Sequence, residues 1–287
     1  MAPSVSFEFF PPRTLEASFK LWDTVQSLAC LDPRFVSVTY GAGGTTRDLT
    51  RDAVKALHGS AGLNVAAHLT CVNASREETL KIAQEFADAG VQEIVALRGD
   101  PPKGEDRFTP HPEGFADVCE LISALADMKA FKLRVGAYPE LHPEAASMQA
   151  NIDWLKRKID AGADEAITQF FFEADTFFRF RDACAAAGIT APIIPGILPI
   201  ENWQGTQRFA NACGATIPAW LSDAFAKAER DGREDLLATA VATELCAALV
   251  DGGVEHLHFY TLNKPEMTRD ICMALGLHPR VSLREVA

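Results

Sequence analysis

The 287-residue sequence has no C-x-x-C pair among its seven cysteines, whose odd number is scattered from Cys30 to Cys272. That usage argues against a disulfide framework and against a zinc knuckle, and it suggests a reducing, cytoplasmic setting. Basic residues are scarce, 27 against 39 acidic ones for a net charge of −12. A surface that gains affinity by releasing counterions from nucleic acid is therefore not expected, and an anionic ligand must meet a local basic pocket. Long apolar runs are missing too. Ile189 to Ile200 is short and broken by prolines, and Met1 to Arg13 lacks the basic-then-apolar order of a secretory signal, so no membrane partner is expected. No Pro-, Gly- or Ser-rich linker divides the chain, which predicts one domain over 1–287. With 48% hydrophobic and 23% charged residues, the composition is that of a soluble globular protein.

What is present is an alternation. Eight short β-branched or aromatic runs, Val5 to Phe10, Phe35 to Tyr40, Val65 to Cys71, Glu93 to Arg98, Leu133 to Tyr138, Glu165 to Phe171, Pro192 to Leu198 and His256 to Leu262, are separated by stretches of helical period. Helices are predicted at Leu15 to Ala29, Arg76 to Ala89, Met148 to Ala161 and Thr176 to Ala187, the last three followed by Gly90, Gly162 and Gly188. Repeated strand and helix imply parallel strands with right-handed crossovers. A doubly wound sheet of this size would be expected to open on a dinucleotide fingerprint. Tyr40-Gly41-Ala42-Gly43-Gly44-Thr45-Thr46 is only a partial one, readable as a phosphate loop or an ordinary capped turn. The expected fold is therefore an α/β TIM (β/α)8 barrel with an extra helix between strands seven and eight, where Ile217 to Glu229 and Glu234 to Val250 both have helical spacing.

A TIM barrel binds its ligands at the carboxyl ends of its strands, and several polar residues fall there. Glu8 ends strand one among Phe7, Phe9 and Phe10, a setting expected to raise a carboxyl pKa and suit a general acid, although a partner cation would reverse that. Arg98-Gly99-Asp100 follows strand four, where glycine permits close backbone approach. After strand five, Asn151, Trp154 and Lys158 share a helical face, with Arg157 adjacent; two cations there could grip a diphosphate or simply face water. His256 and His258 alternate on strand eight and point to one side, as paired metal ligands would. His68 and His142 could join them, but no carboxylate has a matching spacing. Core histidines are the other reading, and no metal is expected.

Taken together and in order, Phe7-Glu8-Phe9-Phe10-Pro11-Pro12, Phe35-Val36-Ser37-Val38-Thr39-Tyr40-Gly41, His68-Leu69-Thr70-Cys71, Ala96-Leu97-Arg98-Gly99-Asp100, Tyr138-Pro139-Glu140, His142-Pro143-Glu144, Ile167-Thr168-Gln169-Phe170-Phe171-Phe172, Pro195-Gly196-Ile197-Leu198-Pro199 and His258-Phe259-Tyr260-Thr261-Leu262-Asn263 resemble the methylenetetrahydrofolate reductase family across nearly the whole chain. The resemblance implies a TIM barrel carrying noncovalent FAD. The implied reaction takes hydride from NADH or NADPH and reduces 5,10-methylenetetrahydrofolate to 5-methyltetrahydrofolate, reversibly, at one site used in turn. It assigns Glu8 as the general acid and places Asp100 between flavin and folate. Thr39, Tyr40, Ala42, His68, Arg98, Gly99, Asp100, Tyr138, His142, Ala145, Asn151, Trp154, Arg157 and Lys158 become flavin contacts. Glu8, Asp100, Gln169, Phe209 and Lys264 become folate contacts. A homo-oligomer is implied as well.

Three positions depart from the familiar pattern. Trp154 stands where bacterial members commonly have a small polar residue, Gly205 where some have a glutamine, and Lys264 where an arginine is usual, which would replace a planar fork on the folate tail by a point charge. The chain also ends soon after its eighth strand, so a regulatory domain of the eukaryotic kind is not expected. Two other functions fit parts of the sequence: a metal-dependent barrel hydrolase built on His68, His256 and His258, and a folate-binding barrel without catalysis. The presence of both Glu8 and Asp100 speaks against the second.

Overall fold

Alternation along each strand decides which side chains face the barrel axis and which face the surrounding helices. In the computed structural model, which describes residues 2–40, 46–101, 104 and 107–279, the order is β1 (Ser4–Phe9), α1 (Leu15–Ala29), β2 (Phe35–Val38), α2 (Arg47–Ala61), β3 (Val65–Thr70), α3 (Arg76–Asp88), β4 (Glu93–Leu97), α4 (Val118–Asp127), β5 (Lys132–Ala137), α5 (Met148–Asp160), β6 (Glu165–Thr168) and α6 (Ala174–Ala186). There follow β7 (Ile193–Ile194), β8 (Gly196–Ile197), α7 (Trp203–Cys213), α8 (Ala219–Asp231), α9 (Glu234–Asp251), β9 (His256–Tyr260) and α10 (Pro265–Ala274). All the strand pairs are parallel, in the order β7-β6-β5-β4-β3-β2-β1-β9-β8.

The predicted seventh strand is split at Pro195, and the split closes the barrel. Ile193 and Ile194 pair with Ala166 and Ile167 of β6, while Gly196 and Ile197 pair with His258 and Phe259 of β9. Proline has no N–H to give the ladder, but its carbonyl accepts from the His258 N–H at 3.0 Å. The region between β8 and β9 holds the extra helix expected from sequence and one more, α7, whose Asn202 cap accepts from the Gly205 N–H. Starts elsewhere follow the sequence signals: Thr14 caps α1, and Ser75 with Glu78 forms a capping box on α3.

Two apolar cores result. Phe7, Phe9, Val38, Leu69 and Phe259 pack outward from the strands against helix residues such as Val25, Leu57, Phe86 and Leu121. Phe35, Ala66, Val95, Ile167 and Ile194 form a small core inside the barrel. At the amino ends of the strands the interior is ionic. Arg134, 1% exposed, pairs with Glu93 and, at 2.9 Å, with Glu165, which also takes Lys132 at 2.7 Å. The Arg134 guanidinium lies 3.7 Å above the Phe35 ring. This end is filled by charge and Phe35, and the open space of the barrel lies toward the carboxyl ends of the strands. Among the described residues no helix is long and apolar enough to cross a membrane, and all seven cysteines are free thiols.

Candidate active site

Register places the site's central carboxylate. β1 aligns Glu8 with Ser37 of β2 on one side and with Tyr260 of β9 on the other, so Glu8 points inward at the mouth while Phe7 and Phe9 are buried outside the barrel. The turn after β9 clamps the end of β1. Asn263, with a positive φ of 56°, exchanges two hydrogen bonds with the Phe10 backbone at 2.9 and 3.0 Å, and the Thr261 hydroxyl donates to the Glu8 carbonyl at 2.7 Å. Such strained backbone is held by its surroundings and is common at functional sites.

The electrostatics of Glu8 correct the expectation from its aromatic neighbours. Burial does push its carboxyl upward, but His68 and His258 together outweigh burial and bring the group down to about 2. His68 Nε2 lies 3.2 Å and His258 Nε2 3.7 Å from Glu8 Oε2, and the Ser37 hydroxyl donates to the same oxygen at 3.4 Å. The phenylalanines that dominate the local sequence face away, and the histidines come from β3 and β9. Glu8 therefore rests as a carboxylate.

Around it opens a cleft of two lobes, about 610 and 900 Å³, within the range of cofactor sites. Both lobes share Glu8, Tyr40, His68, Arg98, Asp100, Tyr138, His142, Gln169 and Phe209. Gly99, Ala145, Asn151, Trp154 and Lys158 line the first, and Thr39 the second. Arg98 is held by Glu144 in a two-pronged pair at 2.5 and 3.0 Å. Tyr138 meets His142 edge to face at 4.4 Å, and the Asn151 amide donates to the Tyr138 and Glu140 carbonyls. Lys158, buried on α5, donates to the Gly136 carbonyl, and burial lowers its ammonium to about 8.

These residues suit a flat ligand carrying a diphosphate. Ala96, Leu97, Ala137 and Ile167 give an apolar wall, and Lys158 and Arg98 bring two cations into the cleft of an acidic protein. Buried Thr70 Oγ1, which lines the first lobe, has no hydrogen-bond partner of its own.

Not every expected contact converges. Arg157 is not among the residues lining the cleft; its side chain is 60% exposed, lies over Trp154 at 4.6 Å and approaches Asp117 at 3.5 Å. Lys264 pairs with Glu201 at 3.6 Å, also away from the lining. Phe209, on α7, packs against Phe170 with the rings tilted and 5.2 Å apart, and does line the cleft. Ala42 lies outside the described residues. Ser37, Tyr260 and Glu144 were not singled out from sequence, though Tyr260 donates to the Thr168 carbonyl at 2.6 Å beside the cleft; a lone Ser or Tyr in a strand carries no signal of its own. The paired histidines of β9 do share a face, but both ring nitrogens of His256 are engaged, by Arg34 and Ser6. Among the described residues no His, Cys, Asp and Glu group has the geometry to hold a metal ion.

The chain as a whole is similar to proteins already known. The chain is 45% identical over 277 residues to 5,10-methylenetetrahydrofolate reductase of Salmonella typhimurium, covering 96% of this chain and 92% of that one, and equally so to that of Escherichia coli. It is 37% identical to Methylenetetrahydrofolate reductase (NADH) 1 of Arabidopsis thaliana, of which it spans 48%. In fold it is similar to an uncharacterized Clostridium thermocellum protein that binds two copies of 5-methyl-5,6,7,8-tetrahydrofolic acid, with a TM-score of 0.63 at 16% identity over 96% of this chain and 94% of that one. Residues 1–276 match the family described as methylenetetrahydrofolate reductase, and the chain belongs to that family.

Proposed function

We propose that the cleft binds FAD noncovalently and that the protein reduces 5,10-methylenetetrahydrofolate to 5-methyltetrahydrofolate at the expense of NADH or NADPH, in a reaction that can run in either direction. The observation that carries this is the Glu8 carboxylate on the floor of a cleft with an apolar wall, which also presents Lys158 and the Arg98–Glu144 pair and has Asp100 at its rim. Bound there, FAD would supply two-electron chemistry, taking hydride from the nicotinamide and passing it to the folate. Lys158 and Arg98 would hold its diphosphate, with Asn151, Trp154, Tyr138 and His142 around them.

Glu8 supplies the proton chemistry. Opening the methylene bridge requires a proton on the departing nitrogen, and a carboxyl at the cleft floor is placed to give it. Because Glu8 rests ionised, it must first take a proton; 16% of its side chain is exposed to the cleft, and water there is the source. In the opposite direction the same carboxylate acts as the base. Asp100, exposed at the cleft rim, and Gln169 would orient the pterin, with Phe209 stacking on it. The Lys264 ammonium, half exposed beyond the cleft, would reach only the flexible glutamate tail.

The test is an absorption spectrum of the purified protein under anaerobic conditions. A flavin band bleached by NADH or NADPH and restored by 5,10-methylenetetrahydrofolate is the expected result. A colourless protein that takes up no FAD on reconstitution would overturn it.

A further inference from the structure

Behind Glu8 a line of polar side chains runs through the barrel from its closed end to the cleft. Arg34 Nη1 is 3.0 Å from His256 Nδ1, His256 Nε2 is 2.8 Å from Ser6 Oγ, and Ser6 Oγ is 2.7 Å from His258 Nδ1. His258 Nε2, which has no hydrogen-bond partner, then faces Glu8 Oε2 at 3.7 Å, an electrostatic approach longer than a hydrogen bond. Ser6 and His258 are fully buried and His256 is 6% exposed. The β1–β9 register makes the arrangement possible, since Ser6 aligns with His258 and Ser4 with His256. Phe35 holds both rings, stacking on His258 at 5.6 Å and tilting against His256 at 5.7 Å, and Tyr260 meets His258 edge to face at 5.3 Å.

One proton arrangement satisfies every link and keeps the serine hydroxyl employed within the line. A guanidinium can only donate, so His256 Nδ1 must be the acceptor and its proton must sit on Nε2. That N–H donates to Ser6 Oγ, and the serine hydroxyl, for which the described residues offer no other acceptor, donates to His258 Nδ1. His258 therefore carries its proton on Nε2, the nitrogen nearest Glu8. The reverse order would set an N–H of His256 against an N–H of Arg34 at 3.0 Å, two donors in contact. We infer that Arg34, His256 and Ser6 are positioning residues that fix the tautomer of His258, so that a polarised N–H rather than a lone pair faces the Glu8 carboxylate throughout the reaction. No proton need travel along the line; its order is what matters. The inference deepens the proposed reductase function and rests on it for the role of Glu8, whereas the tautomers themselves are a property of the ligand-free protein.

Two measurements test it. In ¹⁵N-histidine-labelled protein near pH 7, long-range ¹H–¹⁵N correlations are expected to show His256 and His258 neutral and protonated on Nε2. Either ring protonated on Nδ1, or cationic, overturns the inference whatever the protein catalyses. The second measurement uses Arg34, whose half-exposed side chain can be changed with little risk to folding. Arg34→Met, which frees His258 to turn a lone pair toward Glu8 and so displaces the carboxylate from its set position, is expected to slow the reoxidation of reduced enzyme by 5,10-methylenetetrahydrofolate about tenfold more than its reduction by NAD(P)H. Arg34→Lys, which restores an obligate donor, is expected to recover most of the difference. Equal effects on both half-reactions, or no rescue by lysine, would reduce the line to a structural feature and refute the positioning role. If the wild-type protein reduces no folate, the proposed function falls, and the tautomer measurement still decides the order of the line.

Discussion

Acidification from pH 7 to pH 5 should weaken the protein through His256 by an amount that follows from its burial. Desolvation, assisted by the nearby Arg34 charge, lowers this imidazole from 6.5 to about 2, so it stays neutral in the folded chain over that interval. In the unfolded chain it titrates near its ordinary value. A group whose folded pKa is depressed contributes stability above the unfolded pKa and loses it as the pH falls, and here the loss begins near 6.5. An unfolded histidine of that pKa binds a proton at pH 5 with about 2 kcal/mol of free energy that the folded chain cannot match, against a few tenths at pH 7. His258, lowered for the same first reason, adds in the same direction. The assay is urea unfolding at both pH values for the wild type and for His256→Gln, whose amide can accept from Arg34 and donate to Ser6. The variant should lose about 2 kcal/mol less between pH 7 and pH 5, whatever its stability at pH 7. Equal losses would show that His256 is not held neutral, and would also undermine the proton order inferred for the line to Glu8.

Arg134→Met should cost about 3–5 kcal/mol in the same unfolding assay, because it leaves the Glu93 and Glu165 carboxylates facing each other at the closed end of the barrel without their shared cation. Gly196→Ala should destabilise by at least about 1–3 kcal/mol, since a Cβ there would stand 2.1 Å from the Thr168 carbonyl and 2.6 Å from the Tyr260 ring; a neutral result would mean that barrel closure is looser than drawn. FAD affinity, followed by flavin fluorescence, should fall up to about tenfold per pH unit as the pH rises past about 8, where Lys158 loses its charge. In Lys158→Met the affinity should be lower and that pH dependence absent.

The parallel barrel was legible because strand and helix periods alternate cleanly from Val5 to Leu262, and most predicted boundaries lie within a few residues of those observed. The split at Pro195 was not, because a proline between apolar residues reads equally as one strand or two until its neighbours on both sides are known. Helix α7 was missed for a local reason: Asn202, Gln204 and Gly205 obscure its start, and only Thr206 and Ala210 are buried on it. Phe209 was therefore expected from resemblance alone. Glu8, Arg98 and Asp100 could be picked out by their positions at strand ends, but the direction of the Glu8 shift could not. Its determinants, His68 and His258, lie 60 and 250 residues away in sequence, and it takes the register of β1 with β9 and, through β2, with β3 to bring these side chains around one carboxylate. The same holds for Ser6, which in sequence is an unremarkable strand serine and in the fold is a hydroxyl joining two buried imidazoles.

The most direct measurement separates the two half-reactions in Glu8→Gln by anaerobic stopped-flow absorbance. Reduction of the bound flavin by NAD(P)H should stay within about tenfold of the wild type, while reoxidation by 5,10-methylenetetrahydrofolate should slow by a factor on the order of 10²–10⁴, the usual contribution of a positioned general acid. Reoxidation of Glu8→Gln at the wild-type rate would contradict the assignment of Glu8 as the proton donor and, with it, the chemistry proposed for this cleft.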